Sequence, residues 1–370
     1  MKNSRQLTLT DNFLALKYIV SVFAIFIAGF MLLRFPETAG QGISDGIDLC
    51  LGTLIPSLYP FMILSSLAIN LDSFSFIERL LSKFTEFVFR LPGKTLSVII
   101  MSMIGGFPIG GKMTKELYEK GRISRLQGKR LLLFCVNPGP AFTISSVGFY
   151  LLGSKKAGLI IYASLILSSL VVCFLTRFIA QKDEAEEIIN KRDVLPEEFS
   201  SAFVSSVSSG SKAMLNVCCW VIAFSCLVRL TDILPFSPEM KLFICSISEV
   251  TNACSLAAGN LTIPAIAAII GFGGVCTHFQ IMSAVKALKL KYKYFITGRI
   301  IHCALSAVIC DAILKIFPVS YDVFSFGTLP KGKAGTVSVP ISAGMLIMCA
   351  LIMLGDSFCV QIKRKREARV

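Results

Sequence analysis

Four short stretches combine glycine, proline and polar residues within strongly apolar sequence. They are Gly105–Lys112 (GGFPIGGK), Asn137–Pro140 (NPGP), Glu249–Asn252 (EVTN) and Gly271–Gln280 (GFGGVCTHFQ). Glycine and proline disrupt helices, because glycine is flexible and proline lacks the N–H that the helical ladder needs. A broken helix presents free N–H groups, which attract anions, and free carbonyl groups, which can hold a cation. These four breaks are therefore the candidate ligand-binding sites of the chain.

The composition around these breaks indicates a membrane protein. Of the 370 residues, 54% are hydrophobic and only 16% are charged, with a mean hydropathy of +0.72. A soluble protein has roughly a quarter of its residues charged, so lipid must cover part of this apolar excess. The net charge is +14, but the basic residues form short clusters between apolar runs. This pattern argues against a nucleic-acid-binding surface and predicts an all-α polytopic membrane protein.

Eight segments have the length of about 20 mainly apolar residues that crosses the hydrocarbon core. We place them near 14–33, 47–70, 131–152, 157–179, 211–234, 262–285, 294–317 and 339–360. Two further apolar stretches, 95–111 and 242–258, are shorter, and each contains one of the breaks. We therefore predict that both of these stretches are re-entrant hairpins, which enter the membrane and return to the same side.

The distribution of basic residues supports this topology. Short loops rich in Lys and Arg lie on the cytoplasmic side of a membrane. With both hairpins re-entrant, the cytoplasmic segments hold 25 basic residues and the outer loops hold six. If the stretch 95–111 crossed instead, the seven basic residues of 112–130 would lie on the wrong side. The sequence thus predicts a multi-pass protein of the cell membrane with both termini in the cytoplasm.

The predicted elements form two repeats that have opposite orientations in the membrane. In each half a span precedes a hairpin and two further spans follow it, which is the inverted repeat of many secondary transporters. The predicted units are an N-terminal membrane helix (1–45), a first repeat (46–180), a cytoplasmic linker (181–200), a second repeat (201–317), and a C-terminal membrane helix with a basic tail (318–370).

Irregular backbone at membrane depth is tolerated only where protein buries it or where it lines a water-filled cavity. We therefore predict that the four breaks meet near mid-membrane as one substrate cavity. Glu249 is the strongest candidate for a substrate-binding residue, because burying an ionised carboxylate in a membrane costs free energy and such residues are usually functional. The alternative is that Glu249 caps a helix end in contact with water. The predicted substrate-binding residues are Gly105, Gly106, Phe107, Pro108, Gly110, Asn137, Pro138, Glu249, Thr251, Asn252, Gly273, Gly274 and Gln280.

Structural alternatives exist for several of these residues. Glycines often only let membrane helices pack closely, and polar side chains such as Asn137 and Gln280 can cross-link helices by hydrogen bonds. For His278 we expect a packing role. Arg299 lies near the inner end of its predicted span, where a long side chain can extend to the membrane surface. The basic segment Thr114–Arg130 either lies on anionic lipid or is an ordinary loop that sets topology.

The sequence predicts no enzyme activity, metal or cofactor. Gly106–Lys112 fits most of a P-loop, but Met113 stands where Ser or Thr must bind magnesium. The chain has 13 cysteines but no CxxC pair, and only two histidines to complete a zinc site. Neither a G-x-S-x-G nor an HExxH motif occurs.

The motifs resemble those of the YlbJ-type sporulation integral membrane proteins, a branch of the nucleoside-recognition Gate-domain group. The resemblance is carried by Gly106–Lys112, Asn137-Pro138, Glu249–Thr251 and Phe272–Gly274 with Gln280 downstream, and it spans about residues 45–315. It implies a fold similar to the concentrative nucleoside transporters, with two re-entrant hairpins and a central site. It also implies a role in spore formation, where the family is linked to moving dipicolinic acid across the outer forespore membrane.

The function expected from these observations is a membrane transporter or permease for a small anionic metabolite. The alternatives are a nucleoside or metal-ion permease, or a non-transporting protein that assembles the spore envelope. The expected partners are an anionic solute and membrane lipid, without nucleic acid. A coupling ion and a homo-oligomer are both compatible with this interpretation.

Overall fold

The structure is a computed structural model that describes residues 18–178, except 21 and 24, and 198–319. Over this part of the chain the regular elements are all helical, as the sequence predicts. The predicted span 339–360, the basic tail and residues 181–197 of the predicted linker lie outside the described residues.

The described helices are short where the sequence predicts breaks and long elsewhere. Helical residues from Tyr18 to Arg34 precede the first numbered helix. The numbered helices are α1 (Pro36–Leu49), α2 (Ile55–Asn70), α3 (Ser75–Phe89), α4 (Leu96–Gly105), α5 (Phe107–Glu119), α6 (Arg125–Phe134), α7 (Lys155–Thr176), α8 (Phe199–Leu230), α9 (Pro238–Ser248), α10 (Val250–Ala257), α11 (Ile263–Phe272), α12 (Gly274–Ala284) and α13 (Tyr292–Ile316). A π-helical turn joins α1 to α2 at Cys50–Leu54, and a longer π-helical segment, Ala141–Leu151, precedes α7.

Within the described residues, three helical segments are long and apolar enough to cross a membrane. They are Lys155–Thr176, Phe199–Ile233 and Ile263–Ala284. Five segments qualify if each of two sharply bent pairs forms one span: Tyr18–Arg34 with Pro36–Gly52, and Leu58–Asn70 with Ser75–Phe89. The structure thus supports a multi-pass membrane protein, while the eight predicted spans are not confirmed. The predicted span 131–152 is interrupted, because Pro138, Gly139 and Pro140 separate α6 from the π-helical segment.

Both short apolar stretches form helix pairs whose arms pack against each other. In the first pair, α4 and α5 have 10 and 13 residues and join at Gly106. In the second, α9 and α10 have 11 and eight residues and join at Glu249. At 1.5 Å per residue, none of these arms reaches the roughly 30 Å of the hydrocarbon core. The short arms agree with the predicted hairpins, while their entry and return on one side of the membrane stays a prediction.

Matching elements of the two predicted repeats pack on each other, α2 on α8 and α7 on α13. The boundaries of the repeats stay a prediction, but two element boundaries differ from the sequence analysis. The segment 34–46 lies between the first two predicted spans and is therefore expected to be an outer loop. In the structure it belongs largely to α1, whose glycines allow close packing on α8. Helix α8 begins at Phe199 rather than near 211. Its serine-rich first turns are helical because α2 and α5 supply partners for Ser206 and Ser209.

The glycines of α1 provide a test of its packing. A Cβ atom on Gly46 would lie 2.8 Å from the Cα atom of Ile222 in α8, whereas a Cβ atom on Gly40 meets nothing within 4 Å. We expect Gly46→Ala to lower the free energy of unfolding by about 1–3 kcal/mol, because α8 backbone must shift. Gly40→Ala should be neutral or stabilising, because alanine favours the helix. Thermal unfolding of the detergent-purified variants measures both; equal midpoints would contradict the packing of α1 on α8.

Candidate functional site

The turn of the first hairpin contacts the NPGP break. Gly106 has a φ of +91°, which favours glycine at this turn. A Cβ atom on Gly106 would lie 3.4 Å from the backbone N of Gly139, and a Cβ atom on Gly139 would lie 3.2 Å from the backbone N of Gly106. The two backbones therefore touch where α4, α5 and the end of α6 come together.

The break between α11 and α12 contacts the turns of both hairpins. A Cβ atom on Gly273 would lie 3.3 Å from a ring carbon of Phe107 in the first hairpin. A Cβ atom on Gly274 would lie 3.2 Å from the Cα atom of Glu249 in the second. The structure therefore brings all four breaks into one continuous cluster of contacts, here called the break cluster.

The break cluster is closely packed rather than built around an open space. A Cβ atom added to Gly106, Gly139, Gly273 or Gly274 would lie within 3.4 Å of a neighbouring atom. The space beside these glycines is thus too small for a methyl group without strain, and no solute fits between them. Partly exposed side chains occur at the edge of the cluster, namely Phe107, Pro108, Thr251 and Asn252. A groove of about 610 Å³ in the described structure lies elsewhere, between the start of α11 and the end of α13. A solute at the break cluster would thus contact its edge or need the hairpins to move.

Glu249 is a helix cap, but a buried one. Its carboxylate accepts the backbone N–H of Thr251 at 2.9 Å and of Asn252 at 2.8 Å, which are the first free donors of α10. The side chain is only 3% exposed. The capping alternative is therefore correct for the geometry of Glu249, whereas its expected contact with water is not. The residue shows that a carboxylate fits at a helix start within this cluster.

Three other helical segments begin at the break cluster. These are α5 after Gly106, α12 after Gly273 and the π-helical segment after Pro140. In the part of the chain that the structure describes, none of these three starts receives a hydrogen bond from a capping side chain. Free N–H groups and the helix dipole give each start a partial positive charge.

Arg299 donates hydrogen bonds to backbone carbonyls at the C-terminal ends of α6 and α11, beside the break cluster. Its Nη1 donates to the Val136 carbonyl at 2.6 Å, its Nε to the Phe272 carbonyl at 3.2 Å, and its Nη2 to the Gly271 carbonyl. Arg299 is fully buried in α13. The alternative in which Arg299 extends to the membrane surface therefore does not hold. From the sequence, Arg299 lies near the end of a predicted span, from which a side chain can reach the membrane surface. In the structure the ends of α6 and α11 provide carbonyl acceptors for it, which the lipid interior does not provide.

Two histidines lie against the same carbonyl groups that Arg299 contacts. His278 Nε2 lies 2.9 Å from the Phe272 carbonyl, and its Nδ1 lies 3.2 Å from the Tyr292 hydroxyl. His302 lies between the carbonyls of Gly271 and Leu165, with each ring nitrogen 3.0 Å from one of them. The packing role expected for His278 thus includes a hydrogen bond to the broken helix end.

Asn137 both cross-links helices and keeps an unused acceptor. Its Nδ2 donates to the Phe134 carbonyl at 2.9 Å and to Ser169 Oγ of α7 at 3.1 Å. Its Oδ1 is buried and has no hydrogen-bond partner among the described residues. An unpaired buried acceptor is uncommon and costly, so Oδ1 is a candidate acceptor for a water molecule that accompanies a solute.

The remaining predicted residues have three different surroundings. Pro138 is buried in the NPGP break. Gly105 and Gly110 act in packing, because a Cβ atom on either would lie under 3 Å from a neighbour, Ile109 for Gly105 and Cys135 for Gly110. Gln280 donates to Cys276 Sγ within its own helix at 3.3 Å, rather than across helices.

The sequence analysis did not predict a buried polar cluster behind the first hairpin. Lys112 Nζ donates to Glu116 Oε1 at 2.9 Å, to the Met62 carbonyl at 3.1 Å and to Ser66 Oγ. Glu116 Oε1 also accepts from Ser66 at 2.7 Å and from Ser209 at 2.9 Å. Lysine and glutamate four residues apart in a mainly buried helix are the signal that indicates such a pair. The pair connects α5 to both α2 and α8.

The segment Thr114–Arg130 is buried in part, and its two alternatives, contact with anionic lipid and a loop that sets topology, stay predictions. Thr114 and Leu117 are buried in α5, and Arg130 in α6 donates to the carbonyls of Phe89 and Arg90 at 2.6 and 2.8 Å.

Within the described ranges, no group of three or more His, Cys, Asp or Glu side chains is placed to hold a metal ion.

The chain is similar to the sporulation integral membrane protein YlbJ of Bacillus subtilis (strain 168). The two are 22% identical over 351 residues, which cover 83% of this chain and 85% of the relative. This match confirms the resemblance to YlbJ-type sporulation integral membrane proteins and supports a multi-pass membrane protein. No protein-family model and no solved structure matches the chain. The similarity to concentrative nucleoside transporters therefore stays a prediction.

Proposed function

We propose that this relative of the YlbJ sporulation protein is a membrane transporter or permease for a small anionic metabolite. Dipicolinate is the solute that the family resemblance suggests, and the outer forespore membrane is the corresponding location. The observation that carries the proposal is the meeting of four helix breaks from both halves of the chain in one cluster. Such an arrangement of broken helices is typical of secondary transporters.

The electrostatics of the cluster favour an anion. Arg299 is fully buried, its described acceptors are neutral carbonyls, and no ion pair among the described residues includes it. The starts of α5 and α12 add partial positive charge at the breaks. Glu249 already shows one carboxylate bound to two N–H groups there. A second carboxylate, on the solute, would be stabilised in the same way.

The hairpins are the elements whose movement would open the site. Each consists of two short arms, and each turn contacts the break between α11 and α12 through single glycines. Separation at Gly273 and Gly274 would expose the helix starts and the free Oδ1 of Asn137 without unfolding a long helix. This hypothesis assigns Phe107, Thr251 and Asn252, which are partly exposed, to the first contacts with a solute.

Flux measurements test the proposal. In proteoliposomes we expect Glu249→Gln and Asn137→Ala each to reduce dipicolinate flux about tenfold or more. Glu249→Gln weakens the cap of α10, where a hydrogen bond to a charged group contributes about 1.5–3 kcal/mol, and 1.4 kcal/mol corresponds to a factor of ten. Asn137→Ala removes the hydrogen bond that holds the NPGP break to α7 and so displaces the helical segment that starts there. Glu239→Gln, a matched change of an exposed carboxylate in α9, should leave the flux unchanged.

Other outcomes would select other functions. Unchanged flux in both variants would reject the assigned site. Flux of a nucleoside or a metal ion in place of dipicolinate would identify one of the two alternative permeases. A protein that moves none of these solutes, but loses its cellular role when charges in Thr114–Arg130 are removed, would be an assembly protein of the spore envelope.

A further inference from the structure

We propose that Arg299 is a resident cation that takes the place of a coupling metal ion at the breaks. This inference rests on the proposed transport function, because a coupling ion has meaning only for a transporter. In transporters with broken helices, the free carbonyl ends of half-helices commonly coordinate Na⁺. Here the three free carbonyls, of Val136, Gly271 and Phe272, all accept hydrogen bonds from one guanidinium group.

The hydrogen-bonding capacity of these carbonyls supports the inference. A carbonyl oxygen has two lone pairs. The Phe272 oxygen receives Arg299 Nε and His278 Nε2, and the Tyr292 hydroxyl beside Nδ1 can donate to that nitrogen, which leaves the imidazole proton on Nε2. The Gly271 oxygen faces both Arg299 Nη2 and His302 Nδ1. Little lone-pair density is left there for a metal ion.

The chemistry of arginine suits a permanent role. A guanidinium group stays protonated in proteins and presents its donors in a rigid plane. One such group can therefore reach the separate ends of α6 and α11 at once. Its charge is not matched by a carboxylate in the described ion pairs, so it also remains available to balance an anionic solute. Flux through this site should then be independent of Na⁺ and K⁺ gradients.

Chemical rescue separates this role from simple packing. We expect Arg299→Ala to lower the thermal unfolding midpoint of the detergent-purified protein, and millimolar methylguanidinium to restore much of that loss. Arg229→Ala, the same change at an arginine whose side chain is 45% exposed, should show neither effect. If Arg299→Ala does not accumulate, Arg299→Lys provides the second variant. Its single ammonium group should give a lowered midpoint, and wild-type stability in Arg299→Lys would contradict the need for a planar cation.

Transport in different salts provides the second measurement. Wild-type proteoliposomes should take up dipicolinate equally in sodium, potassium and choline media of the same ionic strength. Uptake that requires Na⁺ or K⁺ would overturn the inference, as would an Arg299→Ala variant that no cation stabilises. Absence of dipicolinate uptake in every medium would instead count against the proposed function, while the rescue of stability would still test the cation role of Arg299.

Discussion

Gly110→Ala is expected to prevent stable folding, whereas Gly111→Ala, one residue later, is expected to be tolerated. A Cβ atom on Gly110 would lie 1.6 Å from the carbonyl oxygen of Cys135 and 2.8 Å from its carbon. Both are backbone atoms at the end of α6, so α5 would have to move away from the NPGP break. We expect a loss of at least about 3 kcal/mol, the upper range for overpacking.

The neighbouring glycine is the matched control because it lies in the same turn of α5. A Cβ atom on Gly111 would lie 3.0 Å from Ile281 Cδ1, the flexible end of a side chain that can rotate away. The yield of monodisperse protein and its thermal unfolding midpoint measure both variants. Equal behaviour of the two would contradict the contact between the first hairpin and α6.

The sequence predicted the breaks because their cause is local. Glycine and proline disrupt helices wherever they occur, so the turn at Gly106 and the interruption near Asn137 are visible in single residues. The break at Gly273 is visible for the same reason. That these breaks lie together follows from the predicted hairpins, and the structure places them in contact.

The helix boundaries depended on contacts that a sequence does not show. The serine-rich start of α8 resembles a polar linker, but α2 and α5 supply partners for its hydroxyl groups. Likewise, α1 resembles an outer loop until Gly42 and Gly46 are seen against Cys226 and Ile222 of α8.

The role of Arg299 also depends on tertiary structure. A charged residue near the end of a predicted span has two outcomes, extension to the membrane surface or burial against polar groups. Which one occurs depends on whether free carbonyls lie within reach, and those carbonyls belong to α6 and α11, distant in the chain. Glu249 differs, because its own helix α10 supplies both of its recorded donors.

The second large effect concerns the buried pair of Lys112 and Glu116. Their side chains are 8% and 16% exposed, and Glu116 Oε2 is buried without a hydrogen-bond partner among the described residues. Lys112→Met leaves the Glu116 carboxylate buried without its countercharge. We expect this single change to cost about 3–5 kcal/mol of stability, as for other buried pairs that lose one partner.

Removing both charges should cost less than removing one. In the double variant Lys112→Met, Glu116→Met, no uncompensated charge remains, and apolar replacements of buried ion pairs are often close to neutral. We therefore expect the double variant to recover much of the stability that Lys112→Met loses, even though Ser66 and Ser209 lose an acceptor. A double-mutant cycle from thermal or denaturant unfolding of the purified protein gives the coupling energy.

The same helix contains the control for this cycle. Lys115 and Glu119 have the same spacing of four residues, but their charged atoms are 3.8 Å apart and the side chains are 40% and 50% exposed. Exposed pairs of this kind couple by about 0.3–0.5 kcal/mol. A coupling energy for Lys112 and Glu116 as small as that of the exposed pair would mean that water reaches both charges. In that case the pair would not fix α5 to α2 and α8.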